Sequence, residues 1–394
     1  MNQGPVQTLL VADSLYPIGG VERCWIRLLR YFDRRAVSPK MVVLGRQHPR
    51  EPDLPADVPV QYLGRDHVRG AVLPLARIIG AEEPGIVYSA KTHVNAIAVA
   101  ANLLAGHPSC AIPSERVDLL AHFRNQLPSR QLKWCATLLI AGLLYQAGAE
   151  KVVFVSRGAR DAGSRALRLP ADKSAVIHNP VVDSELLEAS KNPVSHPWFV
   201  GEDRVPIVLG VGRLTEQKGF SYLLRAFRTV RSKLHARLVV IGTGQRGEAL
   251  VSLAEKLDVA QDVAFVGFQS NPFKYMARSD VFVLPSLWEG FGLVLVEAMA
   301  CGIPVVATRC PSGPEEIVTD GVNGLLVQPG DADGLAMAIL EVLTNPPLAR
   351  HLSTAGQRRA EDFSVEKAAR EYEQLFRSVL SARETDVCPE APDS

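Results

Sequence analysis

Short apolar runs rich in Val, Ile and Leu alternate with helix-length segments along the whole chain, the pattern of parallel strands covered by helices on both faces. In the first half the runs are "VQTLLVAD", "KMVVL", "GIVYSA" and "KVVFVS", and the glycine-rich turn "PIGGVE" follows the first of them. In the second half they are "PIVLGVG", "ARLVVIG", "VAFVGF", "DVFVLP", "PVVAT" and "NGLLV", each ending in a turn signal and most leading into a helical pattern. After "VIHNPV" at 176–181 the regularity weakens into a polar stretch with Pro193, His196, Pro197 and Asp203 to Pro206. Near the end Ala368, Tyr372, Leu375, Phe376 and Val379 fall at helical spacing behind Ser364 as N-cap.

Two similar half-chains predict an α/β protein of two Rossmann-like domains facing a cleft, with boundaries at 1–190 and 206–362 and a linker over 191–205. The terminal helix, 363–380, must bury one face against something else, and the polar residues 381–394 read as a disordered tail. The longest apolar run, Trp134 to Ala149, contains Thr137 and Gln146, falls short of the ~20 residues a membrane span needs, and reads as a buried helix.

One stretch departs from the plain alternation. "PSLWEGFGLVLVEAMACG", 285–302, sets Glu289 and Glu297 into a strand, loop and helix that are otherwise apolar, and buried carboxylates are costly without partners. The loop glycine Gly292 opens the helix, so unpaired amides at Phe291 to Leu293 and the helix dipole form a place for an anion. Glu289 precedes that helix start and Glu297 lies about one turn inside it. Carboxylates beside a bound phosphate suit hydroxyl groups, and a sugar nucleotide has hydroxyls on both sides of its diphosphate. The positive charge to balance that diphosphate stands in "GVGRLTEQKGF", where Arg213 and Lys218 share one glycine-flanked loop.

These stretches, with "GVNGLLVQPGD", "GGVE" at Gly19 to Glu22 and "VIHNPV", resemble the retaining GT-B glycosyltransferases of family 4 and their E-x7-E signature, from near residue 6 to about 380. The resemblance implies a GT-B fold whose C-terminal helix crosses back to the first domain. It implies that Glu289 contacts the donor sugar, that amides at Phe291, Gly292 and Leu293 hold sugar and phosphate, and that Glu297 binds the ribose diol. It gives Arg213 and Lys218 the diphosphate, with Gly19 and Gly20 approaching from the first domain and Gly242 and Phe268 near the nucleobase. It further implies retention at the anomeric carbon, no metal, and a departing diphosphate that helps deprotonate the acceptor. The family's functional histidine belongs near the end of "GIVYSA". This chain has Tyr88 or Ala90 at the usual position and His93 a few residues on, so a catalytic role and that of an ordinary helix-start histidine both stay open. "SER" at Ser114 to Arg116 and "CPSGPEEI" at Cys310 to Ile317 resemble family members that build bacterial surface polysaccharides.

Charge adds little: 43 Lys plus Arg against 42 Asp plus Glu gives no reason to expect nucleic acid. Six scattered cysteines without a C-x-x-C pair, nine unclustered histidines and no basic-then-apolar leader after Met1 suggest a cytoplasmic protein without a metal or other cofactor. Two motifs are set aside: "GTGQRG" at 242–247 has no acidic residue ending a second strand, as a dinucleotide fold requires, and "DAD" at Asp331 to Asp333 reads as helix capping. The mixed basic and apolar segment His122 to Trp134 suits an anionic membrane surface at the cytoplasmic face. The expectation is therefore transfer of a hexose or N-acetylhexosamine from a nucleotide diphosphate, UDP first, to a glycan or lipid-linked acceptor. The rivals are a GT-B subunit that binds without turnover and a glycosidase using Glu289 and Glu297.

Overall fold

The computed structural model describes residues 4–16, 19–125, 128–200 and 205–387. The chain forms two compact units, one of residues 1–180 with 365–394, the other of 181–364. In the first unit the order is β1 (Val6–Ala12), α1 (Gly20–Tyr31), β2 (Val37–Val43), β3 (Val60–Tyr62), α2 (Val72–Glu82), β4 (Ile86–Ala90), α3 (Thr92–Leu104), β5 (Cys110–Glu115), α4 (Leu119–Arg124), α5 (Pro128–Gly148), β6 (Val152–Phe154), α6 (Arg157–Leu167) and β7 (Ser174–Val176). Its sheet is parallel in the order β3-β2-β1-β4-β5-β6-β7, with Thr8 opposite Ile86 and Val11 opposite Ser89. Successive residues of β1 serve opposite faces. Leu10 and Ala12 join Trp25, Met41 and Tyr88 in one core, while Leu9 and Val11 join Leu75, Ile79 and Val94 in the other.

The second unit runs α7 (Ser184–Ser190), β8 (Ile207–Val211), α8 (Phe220–Lys233), β9 (Arg237–Ile241), α9 (Gly247–Lys256), β10 (Val263–Phe265), α10 (Phe273–Met276), β11 (Val281–Leu284), α11 (Leu293–Ala300), β12 (Val305–Thr308), α12 (Pro314–Ile317), β13 (Leu325–Val327), α13 (Ala332–Thr344) and α14 (Pro346–Ala360). Its parallel sheet has the order β10-β9-β8-β11-β12-β13. Both sheets change direction beside their first strand, between β1 and β4 and between β8 and β11. In doubly wound folds that is where ligands bind, beyond the C-terminal ends of the strands.

The final helix, α15 (Val365–Val387), belongs to the first unit as expected. Tyr372 and Phe376 enter its core, with ring centroids 5.1 Å and 5.7 Å from Tyr88. The helix runs past 380, so the tail expected over 381–394 begins inside it, and 388–394 lie outside the described residues.

The chain passes between units at Pro180–Val181, and the stretch expected as a linker, 191–205, lies within the second unit. Its polar surface hides aromatic anchors: Phe199 packs edge-on against Tyr275 at 5.4 Å, and the Arg237 guanidinium lies 5.0 Å over Trp198. Arg278 donates to the carbonyls of Ser190 and Lys191, which fixes α7 to the same unit.

Where the chain leaves the first unit and where it returns, the two segments lie side by side. The amides of Val181 and Val182 both donate to the Phe363 carbonyl, and Val182 bridges Ser364.

Candidate active site

In the second unit the loop after β8 carries Arg213 and Lys218 and the loop after β11 carries Glu289. These strands are neighbours, so the turn of the sheet brings the loops together. Two hydrogen bonds tie them: Leu287 N–H donates to the Gln217 carbonyl at 2.8 Å, and Gln217 Nε2 donates to the Trp288 carbonyl at 2.9 Å.

Glu289 is buried and doubly engaged, with Lys218 Nζ at 2.5 Å and Ser286 Oγ at 2.6 Å, both on Oε1. The sequence assigned these two charges to different parts of a ligand, whereas the structure joins them as an ion pair. Arg213 is exposed, and its guanidinium has no ion pair or hydrogen bond among the described residues. Cys310 Sγ lies 3.2 Å from the Ser286 carbonyl, and burial pushes this thiol up to about 12, so it is not a nucleophile at neutral pH.

Gly292, at φ +98°, caps the start of α11 in a backbone conformation that a side chain resists, and the helix opens with Leu293. Phe291 turns its ring inward, edge-on to Phe363 at 5.4 Å, so only its backbone is available to a ligand. Glu297 is fully buried inside α11, deeper than the sequence suggested. Along the same sheet edge, Gly212 N–H donates to the Ile241 carbonyl and Gly242 N–H to the Gly267 carbonyl. This aligns the turns after β8, β9 and β10 and leaves the Phe268 ring 67% exposed beside them. The second unit thus gathers the predicted residues Arg213, Lys218, Gly242, Phe268, Glu289, Phe291, Gly292, Leu293 and Glu297 around one sheet edge and the helix behind it. Asp331 accepts from Gly334 N–H at 2.8 Å at the start of α13, the capping role the sequence gave it.

The first unit presents its own cluster at the β1–β4 switch. Gly19 N–H donates to Glu22 Oε2 at 2.8 Å, and α1 opens with Gly20. Glu22 Oε1 pairs with Lys91 Nζ at 2.7 Å, and Lys91 also holds Asp13 at 2.8 Å. His93, half exposed, places Nε2 3.3 Å from Asp13 Oδ2. Burial alone would raise the Asp13 carboxyl, but hydrogen bonds from His93 and Lys91 outweigh it and hold it at about 2. Asp13 is therefore a fixed anion that orients His93. Lys91 sits at φ +76°, a strained conformation for a lysine, held in place by its two carboxylates. Sequence reading missed Asp13 and Lys91; the one available signal is that each directly follows a strand at the ligand-binding end of a parallel sheet.

Two motifs noted in the sequence meet beneath this cluster. Arg116 donates to Asn179 Oδ1 at 2.6 Å and to Tyr88 Oη at 2.7 Å, joining "SER" to "VIHNPV". Its neighbour Glu115 is wholly buried and accepts from Tyr145 Oη, Thr92 Oγ1 and Asn95 Nδ2 at 2.6, 2.7 and 3.1 Å, all neutral donors. Burial raises its carboxyl above the ordinary 4.5, and these hydrogen bonds counter only part of the effect. The stability it contributes is complete below the unfolded value and is lost as pH rises through the raised folded value. Glu115→Gln removes that loss, so its Tm relative to the parent protein is expected to climb from acid to mildly alkaline pH. Thermal unfolding across that range checks this, and a pH-independent difference would count against it.

Two family models match this chain: Glycosyltransferase Family 4 over residues 18–185 and Glycosyl transferases group 1 over residues 198–359. The chain belongs to glycosyltransferase family 4. This family 4 chain is 37% identical over 174 residues to the lipopolysaccharide core biosynthesis glycosyltransferase LpsE of Rhizobium meliloti, covering 44% of this chain and 50% of that one. It is 34% identical over 164 residues to the N-acetylgalactosamine-N,N'-diacetylbacillosaminyl-diphospho-undecaprenol 4-alpha-N-acetylgalactosaminyltransferase of Campylobacter jejuni, covering 42% and 44%. The chain spans about half the length of the curated relatives it matches. Among solved structures, HepE of Anabaena in complex with UDP shares the GT-B fold, with a TM-score of 0.74 at 22% identity over 95% of this chain and 100% of that one.

Proposed function

We propose that this family 4 chain transfers a hexose or N-acetylhexosamine from a UDP-linked donor to a glycan or lipid-linked acceptor in cell-surface polysaccharide synthesis. Transfer proceeds with retention at the anomeric carbon and needs no metal ion. The observation that carries the reading is the β8–β11 edge, where Lys218 and the exposed Arg213 stand beside a buried Glu289 and a glycine-opened helix start. Two cations suit a diphosphate, and a carboxylate held by Lys218 and Ser286 keeps lone pairs for sugar hydroxyls. The UDP bound to HepE supports the nucleotide, and the names of the Rhizobium and Campylobacter relatives support the pathway and the acceptor class.

In this scheme Arg213 and Lys218 stabilise negative charge as the bond between C1 and the diphosphate oxygen breaks. The acceptor oxygen bonds to C1, and its proton passes to the departing diphosphate. Glu297 binds the ribose diol. A glycosidase fits less well. Its two carboxylates must flank an accessible bond as acid and base, while here Glu289 is committed to Lys218 and Ser286.

The test is turnover of radiolabelled UDP-sugars with EDTA present, followed by NMR of the product anomer. Turnover unaffected by EDTA and an α-linked product from an α-donor are expected. Loss of turnover with EDTA and its restoration by a divalent ion would rule out metal-free transfer. Tight UDP binding without any transfer would leave a binding subunit.

A further inference from the structure

The ligand-binding edge of the first unit continues from the β1–β4 switch across β2, and its loops carry a pair of rings to which the proposed reaction gives no role. Tyr16, past the end of β1, and His48, past the end of β2, lie flat on one another, with ring centroids 3.9 Å apart and planes 6° apart. Both are partly exposed. Aromatic pairs ordinarily settle edge-on or offset, with centroids about 4.5 to 7 Å apart, as Trp25 and Tyr88 do in the core at 4.9 Å and 69°. A close, flat pile is therefore held by its surroundings rather than chosen by the two rings.

Hydrogen bonds fix each ring's backbone. Tyr16 N–H donates to Ser14 Oγ at 3.1 Å, and that hydroxyl donates to the Tyr16 carbonyl at 2.7 Å. His48 N–H donates to Glu51 Oε1 at 3.1 Å, and Glu51 is braced in turn by Tyr62 Oη at 2.6 Å. Arg50 N–H donates to His48 Nδ1 at 3.1 Å, which leaves the imidazole proton on Nε2 and the ring uncharged. Leu44 N–H donates to the Ala12 carbonyl at 2.9 Å and Gly45 N–H to the Asp13 carbonyl at 3.0 Å, so the chain after β2 runs beside the chain after β1. Asp13 precedes Tyr16 on that same loop. It is a fixed anion with part of its carboxylate open, and Lys91 balances only one of its two carboxylate partners, Asp13 and Glu22.

We infer that the Tyr16–His48 stack is the platform of an acceptor subsite that takes a sugar ring, with Asp13 beside it accepting the ring's hydroxyls. A pyranose has a face of C–H groups and a rim of hydroxyls. The C–H face suits the negative face of an aromatic ring, and the rim suits a carboxylate. Apolar flat surface with one convergent polar group is the usual composition of a small-molecule site. The inference deepens the proposed transfer and rests on it for the acceptor being a glycan. It adds that recognition is of the sugar itself, so a water-soluble glycoside without lipid or phosphate is enough to occupy the subsite.

The test is saturation-transfer NMR of the full chain with the methyl glycosides of glucose, galactose and N-acetylglucosamine, in the absence of any donor. Saturation is expected to reach the C–H protons on one face of at least one of these rings. Tyr16→Leu and His48→Leu should each weaken that glycoside about five- to tenfold, the worth of one aromatic contact. Tyr16→Phe, which keeps the ring, should bind as the parent does. UDP affinity, read by calorimetry on the same variants, is expected to stay unchanged, because the residues proposed to hold the nucleotide lie in the second unit. The inference is overturned if none of the three glycosides binds, if the leucine variants bind as well as the parent, or if Tyr16→Phe fails along with them. Joint loss of UDP affinity would overturn it too, by assigning the stack to holding the fold. Stack-dependent glycoside binding in a chain that transfers no sugar would count against the proposed reaction alone, so the two failures are distinguishable.

Discussion

Glu289→Gln is expected to cut turnover by roughly 10² to 10³, the typical cost of one lost transition-state contact, while leaving affinity for free UDP nearly unchanged. The substitution preserves shape and the hydrogen bond from Ser286, and it removes the negative charge that faces Lys218 at 2.5 Å. What it takes from the reaction is the charged acceptor for sugar hydroxyls and the fixed position of the ammonium. UDP without its sugar makes no use of the first, and a released Lys218 can still turn to the diphosphate. Glu297→Gln should behave in the opposite way, because the role proposed for Glu297 is to hold the ribose diol: UDP affinity falls and turnover at saturating donor is largely kept. Calorimetry with UDP on both variants, beside saturating-donor rates, separates the two roles. Equal losses of nucleotide affinity would contradict the division of labour.

Gly242→Ala is the second large effect. At φ +137° the position is closed to ordinary side chains, and a Cβ there would stand 1.9 Å from the Gly212 carbonyl oxygen, inside any tolerable contact. The obstacle is backbone, which cannot rotate away, so the turns after β8 and β9 must separate and Arg213 moves with them. A cost of about 3 kcal/mol, at the upper end for one strained residue, would lower Tm by several degrees and UDP affinity by roughly tenfold or more. Gly247→Ala provides the control, since a Cβ there meets only the Leu214 side chain at 3.7 Å. Differential scanning calorimetry with and without UDP decides between them. A Gly242→Ala protein as stable as Gly247→Ala would show that the turn is looser than described.

Several parts of this molecule were legible in its sequence for a physical reason. Parallel strands are buried on both faces, so β1, β4, β8, β9, β11 and β12 appear as unbroken apolar runs, and residues just past such strands are where doubly wound sheets bind ligands. That logic pointed to Arg213, Lys218, Glu289 and His93, which the structure places just past β8, β11 and β4. It did not find the Lys218–Glu289 pair, because a contact across 71 residues leaves no local trace, and it missed Lys91 with Asp13, 78 residues apart, for the same reason. The three-residue edge strands β3 and β7, "VQY" and "SAV", are half-buried and too short for any period to register. The stretch 191–205 looked like a linker because its polar residues outnumber Trp198 and Phe199, the aromatics that anchor it. In α5 the apolar content is read correctly, but composition cannot tell a face that meets protein from one that does not.

The order of manufacture follows from the C-terminal helix. A ribosome delivers the strands of the first unit early, yet Tyr372, Phe376 and Val379, which close the core over Ile86, Tyr88 and Cys110, emerge only after the entire second unit. Nascent first-unit chain must wait with that groove open, while 181–364, a continuous stretch whose ends are held together at Phe363, has all of its own contacts available sooner. The usual N-terminal-first sequence of domain completion is thereby reversed. The segment made first is finished last, and in the interval its aromatic groove stays uncovered.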